Sequence, residues 1–119
     1  MTLYHWDLPI ALQDSYGDWL SEDIVADFTH YARVIFERYH DRVSKFFTFN
    51  EPIVFCSTYP LPEGCFASSA IPKKQQPHVC GHSVLLAHAQ AYHLGKMITP
   101  LFPSASRTTE VTKFLDEFE

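Results

Sequence analysis

A single carboxylate, Glu51, stands between an amide and a proline in the run TFNEP at positions 48–52. The residues before it are aromatic or β-branched, which is typical of a buried strand. A carboxyl group at the end of such a strand can donate or accept a proton, and the Asn50 amide beside it can donate a hydrogen bond to a ligand hydroxyl. His5 and Trp6 end an earlier run of the same kind, where the imidazole adds a second donor and the indole an apolar ring face.

The chemistry open to Glu51 depends on its surroundings. Burial among phenylalanines at the floor of a pocket would disfavour the charged carboxylate, which suits a group that donates a proton near neutral pH. The spacing alone also allows a plainer interpretation, in which Glu51 is a surface carboxylate after a strand and His5 is a core histidine with its hydrogen bonds satisfied.

Two strands and the helix between them must position these residues. Positions 2–6 predict a strand that leads into a loop extending through Asp18. Ser21 is the predicted N-cap of a helix whose apolar residues recur at three- and four-residue steps until His40. Positions 45–50 predict a second strand. This order is typical of a βαβ unit with a right-handed crossover, in which parallel strands end at the same edge of the sheet.

The pattern changes beyond the second strand. Residues 52–77 are rich in proline and have no clear period, which predicts a long loop. A second helix is predicted at about Val79–Lys96, with Gly95 near its end as a cap. Its predicted buried positions are Cys80, Val84, Leu85, Ala87, Ala91 and Leu94.

The chain has 119 residues, of which 46% are hydrophobic, a composition typical of a folded protein. A parallel sheet needs cover on both faces, and a closed (β/α)₈ barrel takes about 250 residues. We therefore predict an α/β fold, a partial (β/α)₈ barrel with about two strands and two helices and with strands lacking at both ends. The net charge of −5 predicts no nucleic-acid or anionic membrane partner, and no apolar run approaches the roughly 20 residues of a membrane span.

Cys56, Cys65 and Cys80 are an odd number without Cys-x-x-Cys spacing, so we expect neither a disulfide framework nor a zinc site. Unpaired thiols favour a reducing compartment, which predicts a cytoplasmic location. His78 and His82 flank Cys80 at helical spacing. Because no third ligand stands at a suitable spacing, we expect these histidines to be packed or solvated and predict no metal.

Several motifs lie in one register along the chain. They are LYHWDLP at 3–9, GDWL at 17–20, DF at 27–28, YA at 31–32, FE at 36–37, DRV at 41–43, TFNEP at 48–52 and GHSVLLAHA at 81–89. Together they resemble the signatures of glycoside hydrolase family 1, the β-glucosidase family. The resemblance divides the chain into a partial barrel at residues 1–96 and a divergent tail at residues 97–119. We interpret this tail as foreign, frame-altered or disordered, and the alternative is a diverged but genuine segment.

The resemblance implies a barrel that hydrolyses β-linked glycosides with retention of configuration and uses no cofactor. Glu51 matches the proton donor and general acid/base, Asn50 the residue that binds the 2-hydroxyl of the sugar, and His5 the residue that binds the 3-hydroxyl. Trp6 lies in the same sugar-binding motif. Relatives that cleave thioglucosides carry glutamine at the position of Glu51, which indicates an O-linked β-glucoside or oligosaccharide as the substrate here.

A retaining enzyme also needs a nucleophilic carboxylate, about 5–5.5 Å from the acid/base. In the family it belongs to a Thr-Glu-Asn-Gly motif that this sequence lacks. Glu110 is too close to Glu51 in sequence, and we expect Asp7 to be structural. Ile53 replaces the tryptophan usual in the family, so the preference for the aglycone stays open.

Two hypotheses follow. In the first, the chain is a fragment of a β-glucosidase that carries the general acid/base without the nucleophile and is therefore inactive alone. In the second, it is a non-catalytic product that binds a sugar or a partner through the retained half-site. A monodisperse monomer that unfolds cooperatively would favour the second hypothesis, whereas aggregation or a molten state would favour a truncated enzyme.

Overall fold

Three parallel strands and the helices between them form the framework of the chain. The computed structural model describes residues 1–58, 70–98 and 110–111. The elements in chain order are strand β1 (Thr2–Tyr4), helix α1 (Ile10–Tyr16), a 3₁₀ turn (Asp18–Leu20), helix α2 (Asp23–Tyr39), strand β2 (Lys45–Phe49), a π-helical turn (Val54–Thr58), helix α3 (Gln76–Ile98) and strand β3 (Glu110–Val111).

The sheet has the strand order β1-β2-β3, and each neighbouring pair is parallel. Thr2 lies opposite Phe47 and Tyr4 lies opposite Phe49, so the predicted βαβ unit is confirmed. Strand β3 falls within residues 97–119, which we predicted to be a divergent tail. The division of the chain at residue 96 stays a prediction, and most of that tail lies outside the described residues.

Strand β2 shows which face of the sheet is covered. Phe46 is fully buried against Phe36 of α2, with ring centroids 5.0 Å apart. Thr48, two residues on, is also buried and forms a hydrogen bond with His88 of α3. Phe47 between them is 47% exposed. Since successive side chains of a strand point to opposite faces, α2 and α3 cover the face that carries Phe46 and Thr48. Phe49, the last residue of the strand, departs from this alternation because it is buried against Phe28 of α2.

An aromatic cluster closes the carboxyl ends of the strands. It consists of Tyr4, Trp19, Phe28, Phe49 and Phe55, all buried. Trp19 is at its centre, with ring centroids 5.1 Å from Phe49, 5.2 Å from Tyr4 and 5.7 Å from Phe28. Phe28 and Phe49 stack at 4.7 Å. The cluster forms a rigid floor beneath the residues that follow β1 and β2.

Helix α1 corrects the prediction of a loop through Asp18. Pro9 stands at its N-terminal boundary, and Gly17 ends it in the left-handed region at φ 85°, where its N–H donates to the Gln13 carbonyl at 2.9 Å. None of its residues is buried. Because no apolar face recurs in this segment, hydrophobic periodicity could not indicate a helix there.

Helix α2 follows the predicted pattern more closely. It begins at Asp23 with Glu22 at the N-cap position, so the predicted N-cap, Ser21, lies one residue too early. The Ser21 hydroxyl still accepts the Asp23 N–H at 3.2 Å. Of the predicted apolar face, Tyr31 and Tyr39 remain about two-fifths exposed. The buried positions are Ile24, Val25, Phe28, Ala32 and Phe36.

Helix α3 is longer than predicted at both ends. It begins at Gln76 within the predicted loop and continues to Ile98, so Gly95 is a buried helix residue and not a cap. Leu85, predicted to be buried, is 51% exposed. The loop prediction is also wrong at its start, where the chain turns helically as far as Thr58; residues 59–69 lie outside the described part. Among the described residues, none of the helices combines the length and the apolar composition that a membrane span requires.

Cys56 and Cys80 form a disulfide, with Cα atoms 5.5 Å apart, so the expectation of unpaired thiols is wrong for these two residues. They are 24 residues apart in sequence, and the π-helical turn after β2 carries Cys56 onto the second turn of α3. Closing a loop of this length in the unfolded chain contributes about 3 kcal/mol to stability. Cys65 lies outside the described residues.

The two neighbouring phenylalanines of β2 give a matched test of the packing. Phe46→Ala is expected to lower the free energy of unfolding by about 3–5 kcal/mol because it empties a fully enclosed site. Phe47→Ala is expected to cost under about 1 kcal/mol, since that ring already contacts solvent. Urea unfolding of both variants checks this. Equal losses of unfolding free energy would contradict the assignment of Phe46 to the covered face of β2 and of Phe47 to the exposed face.

The buried side of α3 predicts a dependence of stability on pH. Burial lowers the pKa of His88 from its usual 6.5, so the unfolded chain takes up a proton first as the pH falls. The free energy of unfolding is expected to decrease from about pH 7 downward and to level off below the lowered pKa. His88→Gln should flatten this decrease, whereas His93→Gln, at an exposed position of the same helix, should not. A decrease that survives in His88→Gln, measured by urea unfolding at each pH, would refute the assignment.

Candidate active site

The parallel strands bring the ends of β1 and β2 together. The Asn50 N–H donates to the Tyr4 carbonyl at 3.0 Å, which continues the pairing one residue past β2. The Trp6 indole N–H then donates to the Asn50 carbonyl, also at 3.0 Å. Trp6 and Asn50, which the sequence places 44 positions apart, are therefore joined directly. His5 precedes Trp6, and Glu51 follows Asn50, at the same edge of the sheet.

Both strand ends contain a residue with unusual backbone geometry. Trp6 has φ 69° and Glu51 has φ 45°, in the left-handed region that side chains other than glycine rarely adopt. Such residues cost about 1–3 kcal/mol each and persist where surrounding contacts impose them. The Trp6 indole bond is one such contact. At Glu51, the carbonyl accepts the N–H groups of Val54 at 2.9 Å and Phe55 at 3.4 Å.

Asp7 has a structural role at this edge, as the sequence predicted. Its Oδ1 accepts the His5 N–H at 3.0 Å and so holds the bend that follows β1. The rings of His5 and Trp6 then stand nearly perpendicular, with centroids 6.0 Å apart. The bend directs two side chains of different chemistry, an imidazole and an indole, away from the strand.

The site is open to solvent. His5, Trp6 and Glu51 are exposed, with Trp6 at 41%, and Asn50 is half-buried. The expectation that Glu51 lies at the floor of a pocket is not met by the described residues, because the aromatic cluster supports the site from below and none of these residues walls it in. Glu51 is an exposed carboxylate, as in the plainer interpretation, but the core histidine of that interpretation is wrong because His5 is exposed.

A separate cavity of about 180 Å³ lies between β1, α1 and α2. Its walls are mainly apolar, and Asp7 and Asp27 also line it. Tyr31 borders it and donates to the Leu3 carbonyl at 3.1 Å; burial, with a smaller effect of the Asp7 charge, raises the pKa of Tyr31. Glu51 does not line this cavity. We therefore do not identify it with the candidate active site.

At the start of α3, Cys80 and His82 have protein partners, so they do not form the metal site that their spacing could suggest. The Cys80 sulfur is bound to Cys56, so it is not a free thiolate that could ligate a metal. His82 lies 3.4 Å from the carboxylate of Glu22, the N-cap residue of α2. Sequence reasoning missed the disulfide and the π-helical turn. The hydrogen bonds from that turn to Glu51 depend on backbone geometry, for which the sequence offers no periodic signal.

The family model for glycosyl hydrolase family 1 matches residues 1–111. The match extends past Lys96, where we placed the end of the resemblance, and includes β3. Among curated relatives, a wheat (Triticum aestivum) 4-hydroxy-7-methoxy-3-oxo-3,4-dihydro-2H-1,4-benzoxazin-2-yl glucoside beta-D-glucosidase is 42% identical over 107 residues, covering 81% of this chain and 19% of the wheat protein. Avenacosidase 2 of oat (Avena sativa) is 42% identical over 106 residues, covering 81% of this chain and 18% of the oat protein.

Solved structures agree with the sequence relatives. The chain superimposes on an aphid myrosinase with a TM-score of 0.73 and 36% identity, covering 93% of this chain and 23% of that protein. For the rice Os3BGlu6 beta-glucosidase the TM-score is 0.76 and the identity 32%, with 92% of this chain and 25% of that protein covered.

These neighbours are (β/α)₈ barrels, so the predicted fold class, a partial barrel, is confirmed. The chain spans about a fifth of the length of the curated relatives that it matches. Their names describe glycosidases, which agrees with the family model and with the parallel βαβ unit of the structure. The chain belongs to glycosyl hydrolase family 1.

Proposed function

We propose that Glu51 is the general acid/base of a retaining β-glycosidase whose nucleophile is not among the described residues. The observation that carries the proposal is the position of Glu51 directly after β2, next to an Asn50 that the Trp6 indole holds in place. Active sites of (β/α)₈ barrels lie at the carboxyl ends of the strands. The family and the names of the relatives support a β-glycosidase of this kind.

Hydrolysis with retention takes place in two steps. Glu51 first protonates the glycosidic oxygen while a second carboxylate attacks the anomeric carbon, so that the aglycone leaves and a glycosyl-enzyme forms. Glu51, now ionised, then takes a proton from water as the water attacks the same carbon. The exposure of Glu51 in the described residues allows a sugar and a water to approach it in turn.

The neighbouring side chains would orient the sugar. We assign the Asn50 amide to the 2-hydroxyl and the His5 imidazole to the 3-hydroxyl, and the exposed Trp6 ring to the apolar face of the pyranose. The backbone contacts of Asn50 and the bend held by Asp7 reduce the freedom of these groups before a ligand arrives. The substrate class we propose is an O-linked β-glucoside or oligosaccharide, because a carboxyl group stands where a proton donor is required.

The cellular compartment is a separate proposal. The cytoplasmic location that we inferred from three unpaired thiols loses that support, since Cys56 and Cys80 are paired. Disulfides persist mainly in oxidising environments. We therefore propose an oxidising compartment in place of the cytoplasm.

The proposed role of Glu51 can be tested in a chimera in which residues 1–111 replace the matching segment of the rice Os3BGlu6 beta-glucosidase. Glu51→Gln is expected to lower kcat/KM on phenyl β-glucoside by about 10²–10⁴-fold, because phenoxide leaves slowly without a proton. The loss of kcat/KM on 2,4-dinitrophenyl β-glucoside should be far smaller, since 2,4-dinitrophenolate departs without protonation. Release of each phenol is followed by absorbance.

Two controls accompany this measurement. Glu37→Gln removes an exposed carboxylate of α2 that pairs with Arg33, and it should leave both rates unchanged. The 119-residue chain alone is expected to release no phenol, because its sequence lacks the Thr-Glu-Asn-Gly motif that carries the nucleophile in the family. Equal losses on both glucosides in Glu51→Gln, or turnover by the isolated chain that Glu51→Gln abolishes, would refute the proposal.

A further inference from the structure

We infer that the disulfide between Cys56 and Cys80 positions Glu51, and that both cysteines are therefore positioning residues for proton transfer. The inference rests on the role proposed for Glu51. It follows from a chain of contacts that leads from the Glu51 backbone through the π-helical turn at Val54–Thr58 to helix α3.

The first link is between Glu51 and the turn. The N–H groups of Val54 and Phe55 converge on the Glu51 carbonyl at 2.9 and 3.4 Å. This carbonyl belongs to a residue at φ 45°, a conformation that needs support from its surroundings. If the turn moves, the peptide that follows Glu51 is released, and the direction of the carboxyl side chain is no longer fixed.

The second link is between the turn and the rest of the fold. Ile53 and Ser57 are exposed and provide little packing. Phe55 packs edge-on against Tyr4, with ring centroids 5.2 Å apart. Cys56 is covalently bound to Cys80, which is fully buried in α3. A ring contact and a disulfide thus hold the turn from two sides, and the disulfide is the stronger of these constraints.

Helix α3 binds the chain on both sides of Glu51. Thr48, three residues before Glu51, forms a 2.9 Å hydrogen bond with His88. Cys56, five residues after Glu51, is bound to Cys80 on the same helix. Since α3 packs against α2 along the core, it provides a fixed reference for both attachments. Opening the disulfide removes the attachment after Glu51 and leaves the one before it in place.

Hydrogen exchange in the 119-residue chain tests this directly, because two amides on either side of Glu51 report different attachments. Dithiothreitol opens the disulfide: its two thiols give two electrons and two protons to the cystine sulfurs, which become thiols, while the reagent closes into a cyclic disulfide. The exchange rate of the Val54 amide is then expected to rise at least about tenfold. The rate of the Asn50 amide, bound to Tyr4, should stay within about threefold.

Matched variants separate the disulfide from other effects of the reagent. Cys56→Ser with Cys80→Ser should raise Val54 exchange without reductant, and Cys65→Ser should behave as the unaltered chain. Unchanged Val54 exchange would overturn the inference. An equal rise at Val54 and Asn50 would overturn it as well, because the disulfide would then act on global stability alone.

The chimera provides a readout of proton transfer. In the chimera, the variant with both Cys56→Ser and Cys80→Ser is expected to have a several-fold lower kcat/KM on phenyl β-glucoside and an unchanged kcat/KM on 2,4-dinitrophenyl β-glucoside. A smaller amount of folded enzyme would instead lower both rates equally. If Glu51→Gln distinguishes the two glucosides and the double variant does not, the inference about the disulfide is wrong. If Glu51→Gln does not distinguish them, the proposed function itself is wrong.

Discussion

The parallel register of β1 against β2 determines where every residue of the site lies. Tyr4 is opposite Phe49, and the Asn50 N–H extends the pairing to the Tyr4 carbonyl. Since both strands run in the same direction and end at the same level, the residues that follow them leave the sheet side by side. A shift by one residue would turn Phe46 out of the core and expose its ring to water. The burial of that ring therefore helps to fix the register on which the site depends.

The packing beneath the site explains how exposed residues can be held precisely enough for chemistry. Trp19 and the rings around it fill the space under the strand ends, and close-packed interiors have low compressibility. Above this floor, the chain departs from regular structure at Trp6 and Glu51, where left-handed backbone is stabilised by specific hydrogen bonds. Rigid support with irregular strand ends is the usual arrangement for a functional site in a barrel.

Elements with recurring apolar residues could be predicted from the sequence. The strands follow from runs of aromatic and β-branched residues, and the buried face of α2 follows from helical spacing. Parallel pairing follows from the order of the elements. Helix α1 was missed because it buries no side chain. The disulfide was missed because only the turn after β2 brings Cys56 within reach of Cys80. The sequence left the exposure of Glu51 open between the floor of a pocket and a surface position, since local sequence does not reveal which walls surround a residue and the chain spans about a fifth of its relatives' length.

The central claim is that Glu51 transfers protons and does not attack the sugar. Azide distinguishes the two roles in the Glu51→Ala chimera acting on 2,4-dinitrophenyl β-glucoside. If Glu51 is the acid/base, the glycosyl-enzyme still forms, and azide attacks it in place of water to give β-glucosyl azide. If Glu51 were the nucleophile, azide would displace the phenolate directly and give α-glucosyl azide. Proton NMR gives the configuration of the glucosyl azide from the coupling between the anomeric proton and the neighbouring ring proton. The product is predicted to be the β anomer, and an α product would contradict the assignment of Glu51.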